Sequence, residues 1–101
     1  MTPKIRKSSH AGEDLIEIWL YVAANNAAAA DRLLDRFEAR FELLATQPRS
    51  GMPRDDLGRG VRQVTIGEYL AFYATQCNPI EVLRVLHGRR RIVPDGIGGS
   101  E

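Results

Sequence analysis

The chain has little that would commit it to redox, metal or membrane chemistry. One cysteine, Cys77, stands among 101 residues. A lone cysteine excludes an internal disulfide and any cysteine-based zinc site, and fits a reducing compartment. No apolar run approaches the roughly 18–20 residues that a membrane span needs, and the opening MTPKIRKSSH lacks the apolar centre of a secretory signal. The expectation is a cytoplasmic domain without a membrane partner. Lysine is nearly missing: Lys4 and Lys7 are the only two, so none follows Ser8. Histidine occurs twice, as His10 and His87. No serine–histidine–acid set, metal-ligand cluster or phosphate-cradling glycine spacing is visible, and no basic residue adjoins Cys77 to activate it. Neither cofactor nor metal is expected.

What is there is a folded domain's composition. Hydrophobic residues make up 44% and charged residues 27%, enough for one core in a chain of this length and not for two. The expected division is a domain over residues 1–93 and a flexible tail over 94–101. The net charge of +1 conceals an imbalance of type, since twelve arginines supply nearly all the positive charge. Residues 61–91 hold five of them against Glu68 and Glu81. Arginine suits planar, bidentate recognition of carboxylates and phosphates. A total so near zero is weak for a protein that holds nucleic acid by itself.

Residues 3–8 read as a short first strand. Ser8-Ser9 then cap a helix, with Glu13 and Asp14 expected in its first turn facing the positive dipole end. Leu15, Ile18, Trp19 and Val22 keep the spacing of one buried helical stripe. Asn25-Asn26 ends that helix, and Asn26 caps a second over residues 27–45, with Ala30, Leu33, Leu34, Phe37, Phe41 and Leu44 on its apolar face. Pro48 stops it. So short a link makes the two helices an antiparallel hairpin. Arg32, Arg36 and Arg40 form a ridge interleaved with Asp31, Asp35, Glu38 and Glu42, which reads as a solvated, salt-bridged face. Residues 48–60 form a long loop whose prolines and glycines argue against regular structure.

Residues 61–91, VRQVTIGEYLAFYATQCNPIEVLRVLHGRRR, read as three strands with turns at Gly67-Glu68 and residues 76–79. Alternation places Arg62 with Val64 and Ile66. In the second strand it divides Leu70, Phe72 and Ala74 from Tyr69, Ala71 and Tyr73. In the third it divides Leu83, Val85 and His87 from Val82, Arg84 and Leu86. The helices can cover one face only. The other face, apolar with tyrosines and arginines mixed in, is expected to be a partner surface. His87 beside Arg89-Arg90-Arg91 offers a general base, or simply closes the strand. Arg62, Tyr73 and Arg84 offer phosphate contacts or charge stabilisation.

An ordered set of fragments carries a family resemblance: Asp14-Leu15-x-x-Ile18-Trp19-x-Tyr21, Pro48-x-x-Gly51-x-x-Arg54-Asp55-x-Leu57, Gly60-x-Arg62, Gly67-x-Tyr69-x-x-x-Tyr73, and Val82-Leu83-Arg84-Val85-Leu86-His87-x-Arg89-Arg90. With these, residues 5–91 resemble the RelE/ParE superfamily of type II toxins, closest to its ParE branch. The resemblance implies an α+β fold of order β-α-α-β-β-β, a helical hairpin packed on one face of a small antiparallel sheet. It also implies a cognate antitoxin that wraps and neutralises the toxin; both the helical face and the open sheet are expected to receive it, covered by one extended segment that folds on binding. Leu15, Trp19, Tyr69, Tyr73, Val82 and Leu86 are the expected antitoxin contacts.

Two activities divide the superfamily. The ParE-type branch is associated with inhibition of DNA gyrase by binding. For it, Arg84, His87, Arg89, Arg90 and Arg91 are the expected target contacts, and no residue is catalytic. The RelE-type branch cuts messenger RNA on the ribosome, and here its site would consist of Arg62, Tyr73, Arg84 and His87. Missing lysines and the poor proton-shuttling of arginine favour the first. A non-toxic interaction module is the third reading.

Overall fold

The computed structural model describes residues 5–77 and 79–88. The tail expected over 94–101 and the arginines at 89–91 lie outside these residues. Two helices, α1 (Ser9–Ala23) and α2 (Ala27–Thr46), are followed by a 3₁₀ turn (Pro48–Ser50). The strands are β1 (Arg6–Lys7), β2 (Met52–Pro53), β3 (Val61–Ile66), β4 (Tyr69–Ala74) and β5 (Glu81–His87). They form one sheet in the order β1-β5-β4-β3-β2. The fold is α+β, as expected, but the sheet is mixed: β1 lies parallel to β5, with Arg6 opposite Glu81 and Lys7 opposite Val82. The loop expected to be irregular supplies the edge strand β2, whose Met52 and Pro53 pair with Gln63 and Arg62.

Both helices begin where a side chain can satisfy the free amides of a first turn. Asn26 accepts from the Ala29 amide at 3.0 Å. Ser8 does two things at once: its hydroxyl accepts from the Ala11 amide at 3.0 Å and donates to the Leu83 carbonyl of β5 at 2.9 Å. It therefore caps α1 and ties it to the sheet. Ser8→Ala is expected to cost about 1–2 kcal/mol, read as a lower denaturation midpoint; an unchanged midpoint would refute the double role. Asp14, expected beside the helix start, stands a turn further along and faces β5.

The core lies between the helix hairpin and the sheet. Phe37, Phe41 and Leu44 of α2 are fully buried with Ala71, Tyr73 and Val82 of the strands, and the Phe37 and Phe41 rings stack at 6.1 Å. Each such aromatic contributes about 1.5–3 kcal/mol by leaving water. A second, smaller core on the opposite face joins Leu57, Val61, Phe72 and Leu86. Residues 54–60 fold back over this face, where Leu57 packs and the Arg54 guanidinium sits 5.8 Å from the Phe72 ring centre. The sheet surface expected to be open is thus partly closed by the chain's own loop.

Strict alternation fails in β5. Phe72 pairs with Arg84 and Tyr73 with Val82, so Leu83 is an extra residue without a partner on β4. This bulge turns Val82 and Val85, three apart, both toward the helices, and Leu83 and Leu86 both toward the second core. The expected grouping of Val82 with Leu86 is corrected accordingly.

Candidate functional site

Three of the four residues that a nuclease reading would use are engaged in holding the fold. The Tyr73 ring is fully buried. Its hydroxyl donates to the Pro48 carbonyl at 2.8 Å and accepts from the Gly51 amide at 2.9 Å. Arg62, paired with Tyr73 across β3 and β4, donates through Nη1 to the carbonyls of Gly51 at 2.6 Å and Arg49 at 3.2 Å. Together they pin the 3₁₀ turn against the sheet. Arg84 donates through Nε and Nη2 to the Asp14 carboxylate at 2.8 and 3.1 Å, and the Val85 amide donates to the same carboxylate at 2.9 Å. Asp14 is the single buried charged side chain among the described residues. A buried carboxylate persists when paired and hydrogen-bonded in this way.

His87 is placed differently. At the end of β5 its Nε2 lies 3.3 Å from Glu68 Oε1 on the β3–β4 turn, and its ring meets Tyr69 edge-on at 5.3 Å. Tyr69 also packs edge-on against Phe37 at 5.7 Å. Burial raises the Tyr69 pKa above the ordinary tyrosine value, and the charge of Glu68 adds to it. The phenol is therefore neutral at physiological pH and available as a hydrogen-bond donor, not as a base. Among the described residues no group of three acids, histidines or cysteines could hold a metal ion. No helix among them is long and apolar enough to cross a membrane.

The expected antitoxin contacts divide in two. Leu15, Tyr73, Val82 and Leu86 are buried, at 8%, 0%, 0% and 8% exposure, so in this conformation they present no surface to a partner. Their assignment is corrected on that ground: the first three pack between helices and sheet, and the last beneath the folded-back loop. Trp19 and Tyr69 are half-buried and reach the surface. Trp19 Nε1 donates to Asp31 of α2 at 2.9 Å. Arg84, expected to contact a target, is likewise corrected, because its guanidinium turns inward to Asp14.

Sequence reasoning missed an apolar patch on α1. Ile16, Leu20 and Tyr21 are 60%, 58% and 78% exposed. Ile16 and Leu20, four apart, lie on one helical face and outside the stripe that packs on α2. Their i, i+4 spacing is legible as a second apolar stripe, but it is short and runs beside the stronger core stripe of Leu15, Ile18, Trp19 and Val22. Exposed aliphatic groups of this size in a row are a feature of surfaces that meet another protein.

The comparisons with known proteins agree with this architecture. The family model for the ParE toxin of the type II toxin-antitoxin system parDE matches residues 5–92. Toxin ParE1 of Caulobacter vibrioides is 33% identical over 84 residues, covering 81% of this chain and 85% of that protein. Toxin ParE3 of the same organism is 31% identical over 80 residues, covering 78% and 80%. Among solved structures, the chromosomal ParDE system from P. aeruginosa matches with a TM-score of 0.69 at 20% identity, over 85% of this chain and 96% of that one. That likeness speaks to the fold. Taken with the family match, the chain belongs to the ParE toxin family of type II toxin–antitoxin systems.

Proposed function

We propose that this chain is a cytoplasmic toxin that inhibits DNA gyrase by binding it, without catalysis of its own, and that a cognate antitoxin neutralises it. Family membership supports the frame of this reading. The observation that carries the choice against nuclease activity is the fate of the arginine–tyrosine set: Arg62, Tyr73 and Arg84 are turned to carbonyls and to Asp14 within the domain. An acid–base centre needs groups within hydrogen-bond reach of a substrate, and these three are engaged with partners in the domain itself. His87 and the arginines at 89–91 are left as the target contacts. On the antitoxin side, Ile16, Leu20 and Tyr21, with Trp19 and Tyr69, are the surface that an amphipathic segment would cover. A segment that folds as it binds would gain from burying these side chains.

Purified protein added to gyrase and relaxed plasmid is expected to abolish supercoiling or trap cleaved DNA, and addition of the antitoxin to reverse it. Unchanged supercoiling without trapped cleavage would sink the gyrase reading. Message cut in a translating extract, and spared by His87→Ala, would establish the ribosome-dependent nuclease in its place. Normal growth of cells expressing the chain without an antitoxin would leave only a non-toxic module.

A further inference from the structure

The charges of α2 alternate along the sequence but separate in space. At about 100° per residue, Asp31, Asp35, Glu38 and Glu42 fall within an arc of about 60°, while Arg32, Arg36 and Arg40 fall within one of about 80° centred roughly 130° away. The acidic flank is occupied from within the domain: Asp31 accepts from Trp19, and Glu38 pairs with Lys7 at 3.2 Å. On the basic flank no arginine forms an ion pair among the described residues. The salt-bridged face expected from the sequence is therefore not formed.

Two shallow grooves run along this basic flank and share Arg36 as a wall. One lies between α2 and the β3–β4 hairpin, floored by Ala39, Leu43, Thr65 and Ile66. Arg40 also borders it, and its Nε is buried with no hydrogen-bond partner. A docking carboxylate would pair with the terminal nitrogens of this guanidinium, since Nε itself is closed to solvent. Arg36 overhangs the hairpin turn: a Cβ on Gly67 would lie 3.4 Å from both of its terminal nitrogens.

We infer that the Arg32–Arg36–Arg40 flank is a docking ridge for an acidic, amphipathic segment of a protein partner. The inference rests on the proposed function, in which that partner is the antitoxin. Successive arginines are about 6 Å apart along the helix axis. That matches carboxylates one helical turn apart, or two residues apart in an extended strand. The apolar floor takes the aliphatic side chains between them. Nucleic acid fits less well, since Asp35 stands on the rim and the chain's net charge is +1.

The test uses the full chain, the product of the adjoining reading frame as antitoxin, and calorimetric titration. Arg36→Glu and Arg40→Glu are each expected to weaken the complex about 10–100-fold, and to flatten its dependence on salt. Arg59→Glu, at an exposed position of the 54–60 loop, is expected to leave affinity within about twofold, the difference a rim charge makes. Circular dichroism should show all three variants folded, because Arg36 and Arg40 hold no internal ion pair. Affinity of both α2 variants within twofold of wild type would overturn this inference alone. A short DNA duplex that binds wild type and is lost in Arg36→Glu would overturn it in favour of nucleic acid. Failure of the wild-type chain to bind the antitoxin would overturn the proposed function along with it.

Discussion

Asp14→Ala is expected to remove about 3–5 kcal/mol of stability. The substitution leaves the Arg84 guanidinium in a largely buried place without the carboxylate that holds it, and it also strips the Val85 amide of its acceptor. For a domain of this length, 1 kcal/mol lowers Tm by about 4–8 °C, so the transition should fall by roughly 12–40 °C. A domain with about 5–15 kcal/mol in total would then be only marginally folded at growth temperature. The variants should rank in order. Asp14→Asn keeps an oxygen for the Val85 amide and should lose less. Arg84→Met leaves the carboxylate its amide donor and should also lose less. If Arg84→Met proves as damaging as Asp14→Ala, the amide bond contributes nothing and the ion pair alone holds the strand. A loss below about 1 kcal/mol in Asp14→Ala, the range of a surface pair, would refute the clamp altogether.

Gly51→Ala is expected to cost about 3 kcal/mol or more, from overpacking together with lost buried hydrogen bonds. The backbone at Gly51 is ordinary, with φ −86° and ψ 164°, so the need for glycine is one of space. A Cβ there would lie 2.5 Å from the Tyr73 hydroxyl and 2.8 Å from the Gln63 carbonyl oxygen. The carbonyl belongs to β3 and cannot retreat. The tyrosine can move only by giving up its bonds to Pro48 and to Gly51 itself. Tyr73→Phe, which removes the hydroxyl without the crowding, should cost less, about 1–3 kcal/mol. The double variant should lose less than the sum of the two, because the atom that alanine displaces is already gone. Strict additivity, measured by denaturant titration, would mean that the methyl clashes with the strand alone.

Much of the fold was legible because the signals for helices are local. Ser8, Asn26 and Pro48 mark helix ends by chemistry that acts over three or four residues, and the stripe through Phe37, Phe41 and Leu44 is regular. The sheet was legible less completely. The first strand is legible within residues 3–8, but its parallel pairing is not, and the two-residue β2 carries no pattern; both pairings depend on partners far along the chain. The bulge at Leu83 breaks alternation without any glycine or proline to announce it. One consequence was the misplacement of Val82 as a surface residue. Asp14 reads locally as a helix-start acid, because its true partner is 70 residues away.

The candidate site shows the same division. Residue types spread over the three strands of residues 61–91 suggest arginine, tyrosine and histidine chemistry. Whether such groups face out or in is decided by tertiary contacts, and Tyr73 and Arg84 face in. The ridge on α2 is the opposite case. Its separation from the acidic flank follows from helical phase alone, but an alternation of sign along a sequence suggests pairing until each charge is placed around the axis.

The parallel pairing of β1 with β5 sets an order on biosynthesis. As the chain emerges, α1 and α2 can meet each other early, but the floor on which α1 rests is completed by β5, near the end of the described residues. The clamp from Asp14 and the tie from Ser8 also wait for that strand. Nascent chains therefore hold their helices without a sheet beneath α1 until translation has passed residue 87, and the first strand made is among the last to be seated.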